Sequence, residues 1–219
     1  IAHNAIAYFH DGIGISTYGT PPSDPDRRAS AIDITGNDIH LTGDDFIEAD
    51  GGVHNVRVYQ NRGVNAAHSG YSTQPVFGGP VYFIRNVAYN GWWGPVKIHG
   101  ESSGILYYNN TYIGEFKQLQ PVSNMHLRNN LILGQETQPR VLAVDSFTNY
   151  SSSDYNGYRP NRTGAKEPFA WNSPPFEEVR NYYHARKAPE LTGQTAPLVQ
   201  RSFATLAEMA RVTGQEAHS

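Results

Sequence analysis

The sequence predicts an all-β chain wound as a parallel solenoid, and three observations carry that expectation. A short pattern recurs: "VRVYQN" at Val56 to Asn61, "VYFIRN" at Val81 to Asn86 and "ILYYNN" at Ile105 to Asn110, each an alternating apolar run that ends in Asn. With the related "IAHN", "IDITGN" and "MHLRNN", the terminal residues Asn4, Asn37, Asn61, Asn86, Asn110 and Asn130 are separated by 33, 24, 25, 24 and 20 residues. A period near two dozen, built of short strands with no helical pattern between them, belongs to folds in which each coil contacts only its neighbours. The composition agrees: 38% hydrophobic and 17% charged residues, with 21 Gly, favour short strands joined by turns over helical bundles.

Alternation assigns the faces. Val56 and Val58, Val81 and Phe83, Ile105 and Tyr107, and Met125 and Leu127 point inward, whereas Arg57, Tyr82, Leu106 and His126 point outward. The repeated Asn sits at a bend, its amide bonding to its equivalents in the coils above and below. "DGIGIS" (11–16), "DDFIEADG" (44–51), "PVKIHGE" (95–101) and "VLAVDS" (141–146) supply further strands. The polar "NYSSSDYNGYRP" (149–160) reads as a turn cluster at the solenoid's end. Beyond Pro160 the repeat fades. Residues 161–219 are expected to form an irregular extension packed on the solenoid. One short helix follows Ser202 as cap, with Phe203, Leu206, Met209 and Ala210 on one face and Gly214 closing it.

These repeats resemble the right-handed parallel β-helix proteins of pectate lyase type, over roughly Ile1 to Pro160. The resemblance implies a right-handed helix, a carbohydrate substrate and a secreted or periplasmic protein. "IAHN" begins in mid-repeat, so we expect a chain cut from a longer protein.

Bulk properties exclude several classes. A formal charge of −3, a pI near 6.3 and the lack of any Lys/Arg run leave no field for a nucleic-acid backbone. No apolar stretch is long enough to span a bilayer. With no Cys, disulfides and thiolate metal sites are unavailable. "GIGIST" lacks the rest of a dinucleotide loop, and neither HExxH nor GxSxG occurs.

The chemistry-bearing residues gather on the strands between the ladder positions. Stacking Asp11 over Asp45 brings two carboxylates about 5 Å apart, with Asp44 beside them. Clustered acids hold a hard cation through oxygen, or divide acid and base work by displacing one another's pKa. For β-elimination from a uronic acid, Asp45, Glu48 and Asp50 are expected to hold calcium, Arg57 or Lys97 to engage the substrate carboxylate, and Lys97, His99 or Tyr82 to act as base; the pectate lyase resemblance implies Lys97 as the base, with Arg57, His99 and Tyr82 as substrate contacts. Trp92 and Trp93, with Tyr59 and Phe46 predicted outward, offer rings for stacking on sugars.

"DGI" followed by "GDDFI" also resembles the acid arrangement of polygalacturonases, with His68 and Lys97 in the order of that family's later His and basic residues. That resemblance implies hydrolysis by Asp11, Asp44 and Asp45. Here Phe9-His10 replaces the family's Asn-Thr before the first Asp, and the basic pair is incomplete. The expected function is cleavage of an acidic polysaccharide by β-elimination, with hydrolysis and non-catalytic glycan binding as alternatives.

Overall fold

The computed structural model describes residues 1–15, 22–175 and 198–219. It is a parallel β-solenoid of about six turns, with one short helix near its C-terminal end. Each coil has three sides. Sheet A collects the six strands that precede the ladder Asn, including Gly52–Tyr59, Phe77–Ile84 and Ser103–Tyr108. Sheet B collects seven strands that follow it, among them Asp38–Thr42, Arg62–Ala66 and Val87–Gly91. The third side is sheet C, Ile13–Gly14, Ile47–Glu48, Ser69–Thr73 and Gly94–Ile98. Sheet D takes over in later coils with Phe116–Lys117, Leu142–Asp145 and Phe169–Asn172.

The ladder has the expected form. Each Asn side chain donates from Nδ2 to the Oδ1 of the next at 2.9–3.1 Å, from Asn4 through Asn37, Asn61, Asn86, Asn110 and Asn130 to Asn156. The same Oδ1 also accepts the preceding Asn's backbone N–H. The second Nδ2 proton of the central members goes to a carbonyl of the coil before, as from Asn86 to Val58 at 2.8 Å. From Asn37 onward these amides are buried, so complete pairing is what makes an amide tolerable there. The residue before each Asn is left-handed, for example Gln60, Arg85, Asn109 and Asn129 at φ 55–58°. That conformation turns the chain so that the Asn side chain points along the solenoid axis.

The inward pairs Val56/Val58, Val81/Phe83, Ile105/Tyr107 and Met125/Leu127 are all fully buried. Phe83 and Tyr107 stack at 4.9 Å. Phe46, expected outward, is in the core as well. It lies in the turn between sheets B and C, where alternation no longer applies, and fills the space left by Gly63 of the next coil, whose Cβ would meet its ring at 2.1 Å.

Two further expectations are corrected. Residues 149–160 form another coil, with strands Ser152–Asp154 and Gly157–Arg159 around the ladder residue Asn156, and parallel pairing continues as far as Asn172. The helix α1, Leu206–Thr213, is capped by Thr205, whose Oγ1 accepts the Glu208 N–H; Ser202 belongs to a two-residue antiparallel strand beside Phe169 and Ala170. Gly214 ends α1 in the left-handed conformation, and Phe203 and Met209 are buried, as expected. The Pro-rich reading of 173–197 falls mostly on residues outside those described.

The ladder should carry much of the stability. Asn86→Ala removes two donors and the acceptor that serves Asn61, so it should cost about 3–5 kcal/mol in urea unfolding, whereas Asn4→Ala at the exposed end should cost under about 1 kcal/mol. Equal effects at the two positions would show that the ladder is not the determinant.

Candidate functional site

The site lies where sheet B turns into sheet C. On sheet C, Glu48 is in register with Ser72, and Ser72 with Lys97, one residue per coil on the same side. Ser69 and Ser72 are small and buried, which leaves the Lys97 chain room to reach back two coils. Its Nζ lies 2.7 Å from Asp45 Oδ2 and 3.1 and 3.2 Å from the two oxygens of Asp44. His68 Nδ1 lies 3.4 Å from Asp44 Oδ1, and the His68 ring stacks on Trp93 at 5.5 Å with 6° between planes. Asp11 Oδ1 accepts the Asp45 backbone N–H at 3.2 Å, and its Oδ2 pairs with His10 Nδ1 at 2.9 Å. Asp11, Asp44, Asp45, His68 and Lys97, spread over four coils, thus form one group.

Its electrostatics follow from burial. Asp45 is 0% exposed; burial pushes its carboxyl up to about 8, opposed by the hydrogen bond and charge of Lys97. Burial, with neighbouring carboxylates, likewise raises Glu48 to about 7. For Lys97, burial works against the charge, but the bonds and charges of Asp45 and Asp44 outweigh it and raise its pKa. Lys97 is therefore an ammonium at neutral pH, which suits charge compensation and not proton abstraction.

The expected calcium trio does not assemble. Asp50 is buried at the corner between sheets C and A, where it accepts Ser72 Oγ and the Gln74 backbone N–H, both at 2.7 Å, and so fixes the turn of the next coil. Asp11 takes its place: one oxygen each of Asp11, Asp45 and Glu48 lie within 4.8 Å of one another. Asp45 Oδ1 is buried without a hydrogen-bond partner. Three carboxylates with one unpartnered oxygen fit a hard cation such as calcium.

Arg57 and Tyr82 are not at the site. They are paired in register on sheet A, on another side of the coil, where Arg57 binds Asp33 at 2.6 Å. Tyr59 lies on the same strand as Arg57. His99 follows the last sheet C strand, and its backbone N–H donates to Thr73 O. Comparison with family models, curated proteins and solved structures returned no match.

A groove of about 830 Å³ runs along the solenoid axis beside this group, and His10 and Gly43 connect the two. Its wall is a column of left-handed residues, one per coil: Tyr8, Leu41, Asn65 and Asn90. Asn90 Nδ2 donates to Asn65 Oδ1 at 2.7 Å. Tyr8 is 81%, Phe9 63% and Trp92 67% exposed, large rings facing solvent. Trp93 instead lies between His68 and Lys117, whose Nζ is 4.8 Å above the ring. Sequence reasoning missed Tyr8, Phe9, His10 and Lys117. The wall residues stand four positions after the first four ladder Asn, as Tyr8, Leu41, Asn65 and Asn90, and that fixed offset is the signal that marks them.

Two outcomes follow. Glu48 has an ordinary pKa of 4.5 when unfolded and about 7 when folded, so the folded state holds the extra proton between those values. Stability should fall as pH rises through that window, by about 1–3 kcal/mol from this group. Thermal melts from pH 4 to 9 should show the decline, and Glu48→Gln should reduce it to the part that Asp45, raised in the same direction, contributes; an unchanged slope in the variant would place the titration elsewhere. Lys97→Ala strands two carboxylates and should cost about 3–5 kcal/mol in chemical denaturation at pH 8. A loss below about 1 kcal/mol would mean that solvent already compensates them.

Proposed function

We propose that this chain is a carbohydrate-active enzyme that hydrolyses glycosidic bonds in a polysaccharide lying along the groove. The observation that carries this reading is the convergence of Asp11, Asp44, Asp45, His68 and Lys97, in the order of the polygalacturonase-like arrangement, at the edge of a groove with exposed rings. Hydrolysis needs a proton donor for the leaving oxygen and a carboxylate to take a proton from water. Glu48, raised to about 7, supplies the donor. Asp44, held by Lys97 and His68 and partly open to solvent, supplies the base. Water adds to the anomeric carbon as Asp44 takes its proton, the glycosidic C–O bond breaks, and the leaving oxygen receives the proton of Glu48. Asp45 is fully buried and acts by positioning Lys97. A secreted or periplasmic location accords with a polymeric substrate.

Calcium-assisted β-elimination is the second reading, favoured by the unpartnered Asp45 Oδ1. It places a cation among Asp11, Asp45 and Glu48 but leaves Lys97, already bound to two carboxylates, without the free pair a base requires.

Incubation with a polysaccharide panel, read for reducing ends and for ultraviolet absorbance, separates the two. Reducing ends should appear without absorbance and should fall about 10²–10⁴-fold in Glu48→Gln and Asp44→Asn, with polymer retention in affinity electrophoresis kept. Trp92→Ala should weaken retention instead. Calcium-dependent absorbance would transfer the case to elimination; retention with no product from any polymer would leave glycan binding alone.

A further inference from the structure

We propose that the groove takes a neutral polysaccharide and disfavours polymers of uronic acids, an inference that names the substrate class of the hydrolytic site and rests on that assignment. A uronic acid chain carries one negative charge per sugar, and its recognition calls for Arg or Lys aimed at each carboxylate. None of the described residues lining the groove is Lys, Arg, Asp or Glu. The lining residue able to take positive charge is His10, whose Nδ1 is already engaged by Asp11 at 2.9 Å.

The cations near the reacting end are engaged too. Lys97 has a side chain only 10% exposed and is bound to both Asp44 and Asp45. Lys117 covers the Trp93 ring and lies 3.5 Å from Glu115. Arg57, the expected carboxylate ligand, lies away from this end on sheet A, ion-paired to Asp33. Lys97 is matched by Asp44 and Asp45 and His10 by Asp11, so these cations already have carboxylate partners and a uronate entering here would have to compete with them. What the groove offers is suited to uncharged sugars: the paired amides of Asn65 and Asn90 for hydroxyl groups, and Tyr8, Phe9 and Trp92 for the apolar faces of the rings.

The test compares homogalacturonan with its carboxyl-reduced form, together with xylan, galactan and glucan as further uncharged polymers. Affinity electrophoresis of Glu48→Gln reads binding at low and high salt, and reducing-end release by the unaltered chain reads cleavage. At least one uncharged polymer should be retained about tenfold more strongly than homogalacturonan, and weak retention of the uronate should improve with salt as repulsion is screened. Stronger retention of homogalacturonan, weakening with salt, overturns the inference. Release of reducing ends from homogalacturonan alone, without ultraviolet absorbance, overturns it too while leaving hydrolysis standing; the same release with absorbance removes both. Retention of an uncharged polymer without cleavage of any polymer upholds the neutral groove and removes hydrolysis, and no retention of any polymer removes both.

Discussion

Each ladder asparagine from Asn37 onward receives two hydrogen bonds on one oxygen, from the backbone and side chain of the Asn before it, and gives both of its own amide protons away. A buried amide with a missing partner costs about 1–3 kcal/mol, so neither a shift of register nor a loss of one member is neutral. The constraint is mutual, since every Asn supplies the acceptor that its neighbour lacks. It also explains why Arg85 and Gln60 adopt a left-handed backbone that bulky residues seldom adopt: without that bend the next amide would not align with the axis.

Once the ladder fixes the register, everything at the site is a matter of columns. Sheet C sets Glu48, Ser72 and Lys97 above one another, and the small Ser72 allows a lysine to neutralise carboxylates two coils away. Sheet B sets Tyr8, Leu41, Asn65 and Asn90 in a second column that walls the groove. The acids and the groove therefore share an edge because both are counted from the same Asn. Charge is concentrated where sheet B meets sheet C, and the wall beside it is left uncharged.

A ladder of this kind must be ended, because the side-chain amide protons and backbone N–H of its last member, Asn156, would otherwise be buried unpaired. Glu216 does so. Its carboxylate accepts Asn156 Nδ2 at 3.1 and 3.2 Å and Tyr158 OH at 2.7 Å, and it also receives the hydroxyls of Ser153 and Ser219. Ser219 Oγ accepts the Asn156 backbone N–H, completing the imitation of a further coil. This is why the last coil is polar where earlier ones are apolar: Ser153 occupies an inward position and bonds to the cap. The helix α1 places Glu216 there, two residues past its Gly214 stop.

Fold class, the inward pairs and six members of the ladder are legible along the chain, because period and alternation are local and survive in one dimension. The sequence also named Asp44 and Asp45, since acids denser than turns need are visible as such, with Asp11 and Lys97 on strands between the ladder positions; His68 entered only through the polygalacturonase resemblance. Only the tertiary structure decided which of them meet. Asp50 lies five residues beyond Asp45 yet serves a corner, while Lys97, fifty-two residues away, touches it. Asn156 and its coil were hidden by polarity that made sense only beside Glu216, a partner sixty residues distant. Coil lengths vary from one repeat to the next, and a side chain's reach across two coils depends on the small residues between, so neither contact is written in any one segment of the chain.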